Sequence, residues 1–99
     1  MKLDFYEDPG HGWLAVPLEL LDRLGLVDQV SPYSYMRGRL AHLEEDCDYS
    51  LFARAMNDRR LFFTVKHHHT DNRSKIRGYA SYHPEHARKI LAQLRETAL

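Results

Sequence analysis

Leu18, Leu21 and Leu24 recur every three residues with Glu19, Asp22 and Arg23 between them, which is the spacing of one apolar helix face. Pro17 stands where a first helical turn tolerates proline and Gly25 follows as a stop, so the pattern predicts an amphipathic helix of about two to three turns. Before it, Gly12-Trp13-Leu14-Ala15-Val16 reads as a brief strand. Residues 1–12 are polar and contain the turn signal Asp8-Pro9-Gly10, so the start, residues 1–10, reads as a short strand or an arm. After Ser31-Pro32, the runs Tyr33–Met36 and Arg39–Leu43 flank Arg37-Gly38 as two arms of a hairpin. Leu51, Phe52, Ala55 and Met56 form the stripe of a second helix reaching about Asn57, with an aspartate of the preceding acidic run as its cap. Leu61–Val65 is the strongest strand candidate and is expected to extend through the three histidines. Lys75–Tyr82 reads as a strand, although Ile76, Tyr79 and Ala80 also fit a helix. His83-Pro84-Glu85 opens a last helix with Ala87, Ile90, Leu91 and Leu94 on one face. The expected order is βαββαββα: an α+β fold in which a small, mostly antiparallel sheet packs against about three short helices, as one domain over residues 1–99.

Composition narrows the class. Ninety-nine residues with 43% hydrophobic and 11% aromatic content suit one small domain with a real core. No apolar run approaches the length of a membrane span and no apolar signal core follows the first residues, so a soluble, unexported, cytoplasmic protein without membrane partners is expected. The single cysteine, Cys47, excludes multi-cysteine zinc and redox scaffolds and fits a reducing compartment.

The net charge of zero hides a split. Residues 1–50 carry ten acids against four bases, and residues 51–99 carry ten bases against four acids. Either the two halves keep separate acidic and basic faces, or they interleave and pair across the fold.

Several constellations carry candidate chemistry. On a strand His67 and His69 point to one side and, with Asp71 or Asp46 and another of His11, His42, His83 and His86, would serve as metal ligands. The chain has no H-x-x-x-H, H-E-x-x-H or C-x-x-C spacing, and a polar edge strand explains the triplet more simply. Glu44, Glu45, Asp46 and Asp48 are of the type that holds magnesium, but helix capping accounts for them. Arg59, Arg60, Lys66, Arg73, Lys75 and Arg77 with Tyr79 and Tyr82 mix cations with stacking planes, as nucleic-acid contacts require. Their alternative is an edge strand defended by charge. The hairpin displays Tyr33, Tyr35, Arg37 and Arg39, residue types enriched at protein interfaces.

The blocks Gly12-Trp13-Leu14-Ala15-Val16-Pro17, Leu20-Leu21-Asp22-Arg23-Leu24-Gly25, Ser31-Pro32-Tyr33-Ser34-Tyr35 and Leu43-Glu44-Glu45-Asp46-Cys47-Asp48, continuing into His68-His69-Thr70-Asp71 and Arg73–Arg77, carry a likeness. Over roughly residues 11–82 the chain resembles an uncharacterised domain of bacterial plasmid, conjugative-element and phage proteins. The resemblance implies a mobile-element origin and an accessory role, and it carries no catalytic residue. The leading expectation is a non-enzymatic protein, without cofactor, that binds and inhibits a host nucleic-acid-processing or defence machine. Its contacts would be the Tyr33–Arg39 hairpin and the acidic run Glu44, Glu45, Asp46 and Asp48. The alternatives are a nucleic-acid-binding accessory protein using the basic half, and a metal-dependent phosphodiesterase using His67, His69 and the acids. Pairing as a homodimer is open.

Overall fold

The computed structural model describes residues 1–97; the last two residues of the expected domain lie outside the described residues. Six strands form one sheet: β1 (Lys2–Glu7), β2 (Gly12–Pro17), β3 (Tyr35–Arg37), β4 (Leu40–Glu44), β5 (Thr64–His69) and β6 (Ala80–Ser81). Three helices accompany them: α1 (Leu18–Arg23), α2 (Asp48–Asp58) and α3 (Pro84–Thr97). The spatial order is β5-β1-β2-β4-β3-β6, antiparallel throughout except for β5 beside β1. This is the small α+β architecture that the periodicities predict, and no helix among the described residues is long and apolar enough to cross a membrane.

The alternation of side chains in the central strands creates two cores. Leu3 and Phe5 of β1, Leu14 and Val16 of β2, Met36 of β3, and Ala41 and Leu43 of β4 face the helices, where they meet Leu18, Leu21, Phe52, Met56, Ala87 and Leu91. Each fully buried large side chain contributes about 1.5–3 kcal/mol to folding. Close packing shows at Gly12, where a Cβ would lie 2.3 Å from Phe5 Cζ. Trp13, Ala15 and His42 alternate with those residues, so they face the other way, and they too are buried. What covers them is the connection from β5 to β6. These strands sit at opposite edges of the sheet, so residues 70–79 must pass over the helix-free face as a strap. Ile76, within the strap, is buried against that face, outside the main core.

Four expectations change at the level of local structure. Lys75–Tyr82 is not one strand: Lys75–Gly78 forms a short 3-10 turn and only Ala80–Ser81 pairs, with β3. Ser74 Oγ accepts from Ile76 N at 3.2 Å and so opens that turn. The strand expected from Leu61 starts at Thr64. Arg60 adopts a left-handed conformation (φ 55°), and Leu61 N still donates to Met56 O at 2.9 Å, so residues 60 and 61 close the end of α2. The hairpin turn falls on Gly38-Arg39 rather than Arg37-Gly38, with Gly38 at φ 58° supplying the positive-φ position a tight turn needs. The cap of α2 is Glu44, from the preceding strand. Its carboxylate accepts from Cys47 N and Asp48 N, both at 2.7 Å, and from Asp46 N at 2.8 Å.

The charge split resolves in favour of interleaving. Asp8 pairs with Arg77, Asp22 with Arg95, Asp28 with Arg88, Asp4 with His68 and Glu7 with His69, each joining the acidic half to the basic one.

Candidate functional site

The strap lies against the sheet through one buried carboxylate. Asp8 opens the turn between β1 and β2, and its side chain is 1% exposed. Oδ1 accepts from Gly10 N and His11 N at 3.0 Å and from Arg77 Nη2 at 2.9 Å. Oδ2 accepts from Ser74 N at 2.9 Å and Arg77 Nε at 2.6 Å. The Arg77 guanidinium, with the Ser74 amide, holds the Asp8 carboxyl well below the usual carboxylate range. Arg77 also lies over the Trp13 ring, 5.3 Å from its centroid.

Between strap and sheet is a hollow of about 380 Å³, within the range of small-ligand sites. Tyr6 and Tyr79 contribute rings, Leu40 and Ile76 apolar walls, and Arg37 and Lys75 cations. A second hollow of about 300 Å³ adjoins it, sharing Tyr6, Ser74 and Lys75 and adding His68, His69 and Arg73. His42 lines the larger hollow, 5% exposed, with its ring 6.3 Å from Tyr6 and 5.2 Å from Tyr79. Its Nδ1 is buried without a hydrogen-bond partner, a situation costing about 1–3 kcal/mol. Burial pushes the imidazole down to about 4, so it is neutral at physiological pH. Burial, with Asp4 and Tyr79 nearby, pushes the Tyr6 hydroxyl up. Arg37 lies 5.0 Å from the centroid of Tyr79.

On the same face, Lys66 stands in register with Asp4, and His68 stacks on Tyr6 at 4.7 Å. Among the described residues Arg37, Lys66, Arg73 and Lys75 make no ion pair. The structure therefore gathers Lys66, Arg73, Lys75 and Tyr79 of the basic set on one side and separates the rest. Tyr82 is buried in the core, its hydroxyl donating to Val27 O at 2.5 Å. Arg77 is committed to Asp8, Arg59 donates to Arg23 O at 2.8 Å, and Arg60 serves the end of α2.

The hairpin and acidic residues are largely occupied by the fold itself. Arg39 pairs with Glu19 at 2.9 Å, Tyr35 packs edge-on to Trp13, and Glu44 caps α2. Asp48 is buried, accepting from Ser31 N at 3.0 Å and from the hydroxyls of Ser31 and Ser34 at 2.6 Å. Tyr33, Glu45 and Asp46 remain exposed. His69 sits between Asp71 (2.9 Å) and Glu7 (3.5 Å), which push its imidazole up, while His67 packs against the Phe5 ring. Among the described residues no three His, Cys, Asp or Glu side chains come together as metal ligands.

Sequence reasoning gave His42 no role beyond completing a metal site, and it passed over Tyr6. The alternation Ala41-His42-Leu43 marks His42 as facing away from the helices, but nothing local reveals that a strap buries it.

No protein-family model, no curated protein and no solved structure matches the chain.

Proposed function

We propose that the protein is a non-enzymatic accessory protein of a mobile element that holds single-stranded nucleic acid on the strap face of its sheet, and through that strand meets a host nucleic-acid-processing or defence machine. The mobile-element setting comes from the resemblance over residues 11–82. The strand comes from one observation: four cations without ion pairs, Arg37, Lys66, Arg73 and Lys75, share a face with the rings of Tyr6 and Tyr79. Cations along a groove track phosphates, and rings beside them stack bases with little regard for sequence. Anisotropy of labelled short single-stranded DNA, single-stranded RNA and duplex DNA at low and moderate salt tests this. Single strands are expected to bind more tightly than duplex, with affinity falling as salt rises. Replacing Lys66, Arg73 and Lys75 together by alanine is expected to reduce the salt slope by about two. No single-strand binding at low salt overturns the reading.

A second reading, docking on a protein partner through the hairpin, is favoured by Tyr33, which is 80% exposed and shares a surface hollow with Tyr35 and Glu44. An aromatic this exposed is the kind of residue that anchors an interface. Tyr33→Ala is expected to leave the thermal midpoint unchanged while abolishing capture of such a partner, measured by pull-down with wild type and variant in parallel. Equal capture by the two removes the hairpin from the contact surface.

A further inference from the structure

We infer that the hollow between the strap and the sheet is a nucleotide site, taking one base against His42 and its phosphate at Arg37 and Lys75. The inference deepens the strand-binding reading and rests on it for the ligand's class; the hollow and its donors stand independently. His42 makes no hydrogen bond among the described residues, and its wholly buried atom is Nδ1. Nε2 is thus the ring atom that the hollow can reach. A neutral imidazole carries one proton, and a buried N–H without an acceptor is the less tolerated orphan, so the proton resides on Nε2. The floor of the hollow then offers a single N–H donor.

Around that donor the chemistry is specific. Tyr6 and Tyr79 provide flat faces close to the His42 ring, and Leu40 and Ile76 add apolar walls. Arg37 and Lys75 bring two positive charges to the same hollow. A ligand satisfying all of these groups is flat, presents a carbonyl oxygen to Nε2–H and bears an anion at its far end. A pyrimidine or guanine nucleotide has those three properties. The phosphate alone lacks the stacking surface, and the nucleoside alone leaves both cations unneutralised. About 380 Å³ is at the small end of ligand sites, which suits one nucleotide.

Imidazole-nitrogen NMR of the intact protein, titrated separately with uridine monophosphate, uridine and inorganic phosphate, tests the assignment. The free protein is expected to show His42 as the Nε2–H tautomer. Uridine monophosphate is expected to shift the His42 and Tyr79 signals saturably, at concentrations roughly ten-fold below those needed with uridine or phosphate. Leu40→Trp, which fills the hollow from its solvent side, is expected to weaken uridine monophosphate by about ten-fold or more. A silent His42 at millimolar uridine monophosphate overturns the assignment, as does an identical response to phosphate alone. Strand binding with a silent His42 overturns the nucleotide site and leaves the strand reading standing. A saturable nucleotide response without strand binding supports the site and removes the polymer as its source.

Discussion

Replacing Asp8 by alanine is expected to release the strap from the sheet while the helix-side core stays folded. One carboxylate accepts five hydrogen bonds, from Gly10, His11, Ser74 and twice from Arg77, and so joins the β1–β2 turn to the middle and the later part of the strap. Without it Arg77 lies over Trp13 with no counter-charge, and a part-buried cation in that position is driven toward water. Ile76, held between those anchors, then loses its cover. The core of Leu14, Leu43, Phe52 and Met56 faces the opposite side and makes no use of the strap. Hydrogen exchange reads the difference: the amides of Arg77 and Tyr79, bonded to Ser74 O and Ile76 O, are expected to lose protection on the order of a hundred-fold while those of β2 and β4 keep theirs. Strand affinity is expected to fall by about ten-fold or more, because the hollow loses a wall. Asp8→Asn keeps an acceptor for the turn amides but lacks the charge, so an intermediate loss measures the turn's share. Unchanged exchange at Arg77 in Asp8→Ala shows that the strap is held by other means.

The helices were legible because their signals are local. Leu18, Leu21 and Leu24, then Phe52 and Met56, then Ala87 and Leu91 repeat at helical spacing within single segments, and Pro17 and Pro84 mark where two of those segments begin. The face that matters was not legible, because it is assembled from distant pieces. Asp8 and Arg77 are 69 residues apart, and neither carries a neighbour-level mark of its partner. Arg73, Lys75 and Arg77 alternate as on a strand, yet Ser74 turns the chain into a 3-10 turn, after which Arg77 points inward to Asp8 while Lys75 remains exposed. Tyr79 and Tyr82 look equivalent in sequence, but one lines the hollow and the other fills the core. The acidic run reads in sequence as serving the positive end of a helix, with an aspartate as the cap. The capping carboxylate nevertheless comes from Glu44, because β4 delivers it to the amides of residues 46–48.

Stability is expected to fall as the pH drops from about 6.5 to about 4, with His42 as the cause. In the unfolded chain the imidazole titrates near 6.5; in the fold, burial pushes it down to about 4. Between those values the unfolded state binds a proton that the native state refuses, so stability rises with pH across the window and is complete above it. The full difference is about 3 kcal/mol, reduced where water reaches the ring's Nε2 edge. Tyr6 from β1, Arg37 from β3, and Lys75 and Tyr79 from the strap share the hollow with His42. Side chains of these types hold one charge state throughout the window, so none offsets the proton, and the two cations make its arrival harder. His69 acts with the opposite sign: Asp71 and Glu7 push it up, so its pairing supports the fold at low pH and is lost as pH rises through its folded value. Its side chain is 55% exposed, and screening keeps that contribution below the one from His42. The Asp8 carboxylate, held low by Arg77, begins to lose its contribution as pH falls into the ordinary carboxylate range near 3.8, at the foot of this window, and goes on losing it below. Urea midpoints followed from neutral pH to about pH 4 are therefore expected to decline in the wild type and to stay nearly flat in His42→Leu. A wild-type midpoint independent of pH in that window overturns the assignment to His42. Because the strain of a buried imidazolium is relieved by opening the strap alone, amides of residues 74–79 are expected to lose protection at a higher pH than those of β2 and β4, which ties the acid response to the same hollow that would take the nucleotide.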